Sequence, residues 1–114
     1  MPKLQMNELL NTYPVRHPET GIERIDGKLM AASPDDHLHV FVNEDDSRNE
    51  VAERIVELSS GERSVKDIAA AVCDEFEVDA ERAERDVVGF VSRLVDAKVL
   101  IVRDAPGPAA SSGN

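Results

Sequence analysis

Few residues of the chain have the type and spacing to do chemistry. His37-x-His39 places two imidazoles on one face of an extended segment, with Asp35, Asp36 and Cys73 as the other groups a metal ion would accept. No zinc-finger spacing accompanies them, and a third ligand would have to be supplied from elsewhere, so the histidines are expected to face solvent from a strand. Cys73 falls in the middle of an apolar helical pattern beside Ala69 and Val72. A nucleophilic thiol wants a histidine or a helix N-terminus beside it, so Cys73 reads as a small, partly buried hydrophobe. Asp35-Asp36 and Asp45-Asp46 are carboxylate pairs, but neither has the alternate spacing of an EF-hand loop, and both read as solvated turns. Gly21, Gly27 and Gly61 stand alone, so no phosphate-cradling loop is expected. The expectation is a protein that is not an enzyme, with no catalytic residues, no metal and no cofactor.

Composition narrows the field further. The chain has 114 residues, which suits one small domain. A net charge of −10, from 23 acidic and 13 basic residues, repels polyanions and makes nucleic acid and anionic membrane poor partners. Aromatic residues make up 4% and there is no Trp, so the core must be built from Val, Leu, Ile and Ala. One cysteine permits no internal disulfide. No apolar run approaches the ~18 residues of a membrane span, and no signal-peptide pattern opens the chain. A cytoplasmic setting is expected.

The elements that must position any site follow from periodicity. Residues 1–21 contain Pro2, Pro14 and Pro18 and read as an N-terminal arm, with one or two helical turns over 3–11. Ile22–Ile25 and Leu29–Ala32 flank Asp26-Gly27, a strong type I′ hairpin signal. After the turn cluster Ser33–Asp36, residues 37–42 alternate Leu38, Val40 and Val42 with His37, His39 and Phe41, predicting a third strand. A polar connector over 43–48 leads to a first helix, capped by Ser47 or Asn49, with Val51, Ala52, Ile55 and Leu58 as its stripe and Gly61 as its stop. Ser64 and Asp67 form a capping-box pattern ahead of a second helix. Asp79 is placed to cap a third, running to about Ala97. Val99–Val102 is a short strand-prone run, and 104–114 reads as a disordered tail.

The third helix carries more apolar surface than one core needs. Val87, Val91 and Leu94 point within roughly 60° of one another, with Phe90 to one side and Val88 and Val95 to the other, an arc of about 160°. A wide apolar arc beside the free edge of a third strand makes a groove for an extended peptide: main-chain bonds supply affinity and side-chain pockets supply preference.

Asn49-x-x-Ala52-x-x-Ile55, Gly61-Glu62-Arg63-Ser64-Val65-x-x-Ile68, Asp86-Val87-x-x-Phe90-Val91-x-x-Leu94 and the closing Val99-Leu100 resemble the PqqD family, that of pyrroloquinoline quinone biosynthesis protein D and its relatives, over about residues 22–102. The resemblance implies an α+β, winged-helix-like domain over 22–103, a three-stranded antiparallel sheet followed by three helices. It implies a non-catalytic adaptor that captures the leader segment of a ribosomally made precursor peptide by strand addition and presents it to a modifying enzyme such as a radical S-adenosylmethionine maturase. Carried onto this chain, the peptide contacts are His37, Leu38, His39, Val40, Phe41 and Val42 with Val87, Val88, Val91, Leu94 and Val95, and either flank of the third helix could face the groove. A charge at Val91 is then expected to abolish peptide binding. The family pattern differs here in the inserted connector 43–48 and in Lys98, where Gly is usual. A homodimer is left open. The alternative is a winged-helix DNA-binding regulator, against which stand the net charge and the acids Glu81, Glu84 and Asp86 at the start of the third helix.

Overall fold

The computed structural model describes residues 6–107. In chain order the elements are α1 (Met6–Leu10), β1 (Tyr13–Arg16), β2 (Gly21–Ile25), β3 (Lys28–Ala32), β4 (Leu38–Val40), α2 (Glu50–Leu58), α3 (Val65–Phe76), α4 (Ala80–Asp96) and β5 (Leu100–Arg103). The fold class is α+β, with β2, β3 and β4 forming the expected three-stranded antiparallel sheet ahead of three helices. Asp26 and Gly27 both take positive φ, 53° and 80°, as a type I′ turn requires, and the register Ile25↔Lys28 closes the hairpin over those two residues.

The helices begin where local chemistry directs. Asn49 caps α2, its side chain accepting from the Ala52 N–H, while Ser47 is held in the preceding turn by Asp45 and Asn43. The Ser64–Asp67 capping box is formed in both directions at the start of α3. Asp79 precedes α4 but makes no side-chain cap bond. At the far end Lys98 adopts φ 64°, the left-handed conformation that Gly holds without strain.

Between sheet and helices lies one core. Leu29, Ala31 and Phe41 from the sheet meet Ala52, Ile55 and Leu58 of α2, Ile68 and Val72 of α3, and Val87, Val91 and Leu94 of α4. The N-terminal segment is joined to this body. β1 pairs antiparallel with β5, from Tyr13↔Arg103 to Arg16↔Leu100, and Leu9 is buried in the core. Residues 1–5 and 108–114, including most of the expected tail, lie outside the described residues.

Gly61 has a different part from the helix stop expected of it. α2 ends earlier, with Ser59 as its C-cap, and Gly61 sits in the turn that follows, at φ 89°. Its N–H donates to the Pro14 carbonyl and its carbonyl accepts from Gly107, so the α2–α3 turn is bonded to β1 and to the chain beyond β5. A Cβ here would lie 2.5 Å from the Gly107 carbonyl oxygen. Gly61→Ala is therefore expected to cost about 1–2 kcal/mol, read as a lower urea midpoint at unchanged slope.

A buried carboxylate fastens the hairpin to α2. Glu53 is 2% exposed and shared between two guanidinium groups, Arg24 of β2 at 3.0 Å and Arg48 of the connector at 2.8 Å. The Arg48 hydrogen bond is the largest cause holding the Glu53 carboxyl below its ordinary value of 4.5; burial opposes it and Arg24 adds to it. A carboxyl with a depressed folded value contributes stability that is present above its unfolded pKa and lost as pH falls through the folded one. Glu53→Gln is expected to lower stability at neutral pH by about 1–2 kcal/mol, since both arginines keep solvent access when the pair is broken. Urea midpoints compared from neutral pH down to below the ordinary carboxyl range should show the two chains converging on the acid side.

Candidate docking groove beside strand β4

The third strand is extended, as its alternation predicts, but its faces are opposite to expectation. His39 and Phe41 point inward, with Phe41 buried and the His39 Nε2 shielded from solvent. Leu38 and Val40 point outward, 63% and 39% exposed. The reason is the partner surface: His39 sits opposite Ala31, a small, fully buried residue that leaves it room, and the Phe41 ring meets Phe90 of α4 edge to face at 5.9 Å. His37 is on the outer turn, its Nδ1 3.2 Å from Asp35.

The hydrogen-bond pattern assigns the two edges of β4. Phe41 donates to the Leu29 carbonyl and Ser33 donates to the His37 carbonyl, so the odd-numbered residues bond to β3. Alternation then turns the N–H and C=O groups of Leu38 and Val40 to the other edge, which no strand pairs with among the described residues. Among the described residues the Val40 carbonyl there receives only the Val42 N–H of its own turn.

Beside this edge runs a groove of about 510 Å³ between β4 and α4. Leu38 through Val42 form one wall; Phe90, Arg93, Leu94 and Ala97 form the other; Asn49 and Ala52 line one end. The flank of α4 left open by the sequence is thus the Phe90 side. Of the expected contacts, Leu38, His39, Val40, Phe41, Val42 and Leu94 are brought together here. His37, Val88 and Val95 do not line the groove, and Val87 and Val91 are fully buried. Val88 and Val95 lie roughly 140–160° around the helix from Phe90 and pack, half-buried, against the core. Periodicity missed Arg93 and Ala97 because neither belongs to an apolar stripe; the Arg93 guanidinium lies 5.9 Å over the Phe90 ring.

The other chemical candidates sit apart. The Cys73 thiol donates to the Val78 carbonyl at 3.0 Å and closes the α3–α4 turn. Ser33 and Ser47 hydroxyls hold the Asp35 and Asp45 carboxyls below the usual carboxylate range, as turn-closing hydrogen bonds do. Among the described residues no group of three or more His, Cys, Asp or Glu is placed to hold a metal ion, and no helix is long and apolar enough to cross a membrane.

No curated protein and no solved structure matches the chain. The family model described as coenzyme PQQ synthesis protein D matches residues 39–100, more than half of the chain, from the middle of β4 through the three helices to the start of β5. The chain belongs to the PqqD family.

Proposed function

We propose that the protein is a non-catalytic adaptor of peptide maturation, which takes the leader segment of a ribosomally made precursor peptide as an added strand on β4 and presents the rest to a modifying enzyme. The observation that carries this reading is the unpaired edge of β4 at Leu38 and Val40, lying directly beside the Phe90 flank of α4. An extended peptide there gains main-chain bonds from the edge and side-chain contacts from the groove. Tethering the leader raises the local concentration of the segment to be modified, so the adaptor needs no reactive group of its own. A radical S-adenosylmethionine maturase working in the cytoplasm is the partner enzyme we favour, and the match to the coenzyme PQQ synthesis protein D family supports a role beside a biosynthetic enzyme.

The test is a calorimetric titration of the leader half of any short peptide encoded beside this gene, with a double-stranded DNA fragment as the control. Micromolar or tighter peptide binding with no DNA binding is the expected result. DNA binding that falls steeply with salt, without peptide binding, would replace the adaptor by a DNA-binding regulator.

A further inference from the structure

The groove beside β4 does not end at Asn49. It opens into a second channel, of about 440 Å³, between α2 and α4, and the two share Asn49, Ala52, Phe90 and Arg93. Val51 and Ile55 form the apolar wall of this channel, and Arg85, Asp86 and Gly89 lie on the α4 side. Two features of it bear on what could lie in it.

The first is charge. In a chain of net charge −10, Arg24, Lys28, Arg48, Arg54 and Arg82 are held in ion pairs, while Arg16, Arg63, Lys66 and Lys98 lie away from this channel. Arg85 and Arg93, which face the channel, are exposed and have no carboxylate within salt-bridge distance among the described residues. The one acid in the lining, Asp86, is placed 3.6 Å from Arg82. The second is Gly89. Glycine inside a helix costs about 0.5–1 kcal/mol relative to alanine. Here it does not serve close packing, because a Cβ would meet nothing within 4 Å. What its bare backbone does is leave the channel floor open.

We propose that the bound peptide continues past the β4 strand into this channel and carries acidic side chains that answer Arg93 and then Arg85. The inference rests on the adaptor reading of the β4 groove and adds to it the chemical class of the peptide. Eight residues separate the two arginines along α4, about 12 Å at the helical rise. An extended chain covers that distance in three or four residues, which sets the spacing of the two acids. The overall negative field disfavours acidic peptides at a distance, so the preference is local and specific to these positions.

The experiment is a selection of random 16-residue peptides by display on the whole chain, repeated on the Arg85→Gln/Arg93→Gln and Gly89→Leu chains. Expected are peptides with an alternating apolar strand followed by two Asp or Glu three or four residues apart. Each should bind the double variant about tenfold more weakly, the loss of a charge-assisted contact. Gly89→Leu, which keeps the helix and fills the channel, should select the strand without the acids. Strand-like peptides with no acidic pattern, or acids indifferent to the arginine changes, would overturn the inference and leave the β4 groove standing. Enrichment of no peptide at all would overturn both.

Discussion

Val91→Asp is expected to unfold the protein, rather than to produce a folded chain that has lost its peptide. The sequence places Val91 at the centre of a wide apolar arc, and the family resemblance makes it a peptide contact. In the structure it is 0% exposed, inside the core with Val87 and Leu94. A carboxylate there must give up its hydration with no basic partner, at a cost of at least about 3–5 kcal/mol, a large part of the stability of a domain this size. Circular dichroism and a urea melt decide the matter: a cooperative transition near that of the unaltered chain would show that Val91 is not core.

Val40→Pro is expected to do what the charge at Val91 cannot, removing peptide binding while sparing the fold. Alternation turns the Val40 N–H to the free edge, away from β3, so a proline there removes no bond of the sheet. Val40 is 39% exposed, so little apolar burial is lost. The proline removes one main-chain donor and puts a ring where the added strand must lie. Leader affinity should fall at least about tenfold, with the thermal midpoint moved by only a few degrees. The matched control is Ile25→Thr, on the outer side of the same sheet and away from the groove, which should leave affinity unchanged.

What could be read from sequence was local. Asp26-Gly27 names its turn because only a few residue pairs accept two positive φ values, and Asn49 and Ser64 name their helix starts because each cap is satisfied within three residues. The strand at β4 was legible as a period of two, but a period does not say which face is inward. That was decided by contacts far away in sequence: Ala31 leaving space for His39, and Phe90 receiving Phe41. The same limit applied to α4. Its surplus apolar surface was visible, yet Val88 and Val95 turn toward the core and only Phe90 and its neighbours face the groove. β1 was hidden for another reason. Pro14 argues against a strand, and the residues that make it one, Leu100 to Arg103, lie at the other end of the chain.

The central claim is that β4 accepts a peptide as a new strand, and amide hydrogen exchange in the leader complex tests it most directly. Leu38 and Val40 have N–H groups turned to the open edge, and at least one of them should become strongly protected when the leader binds. Phe41, already bonded to Leu29, should change little. A leader that binds tightly while the Leu38 and Val40 amides continue to exchange freely would contradict strand addition at this edge.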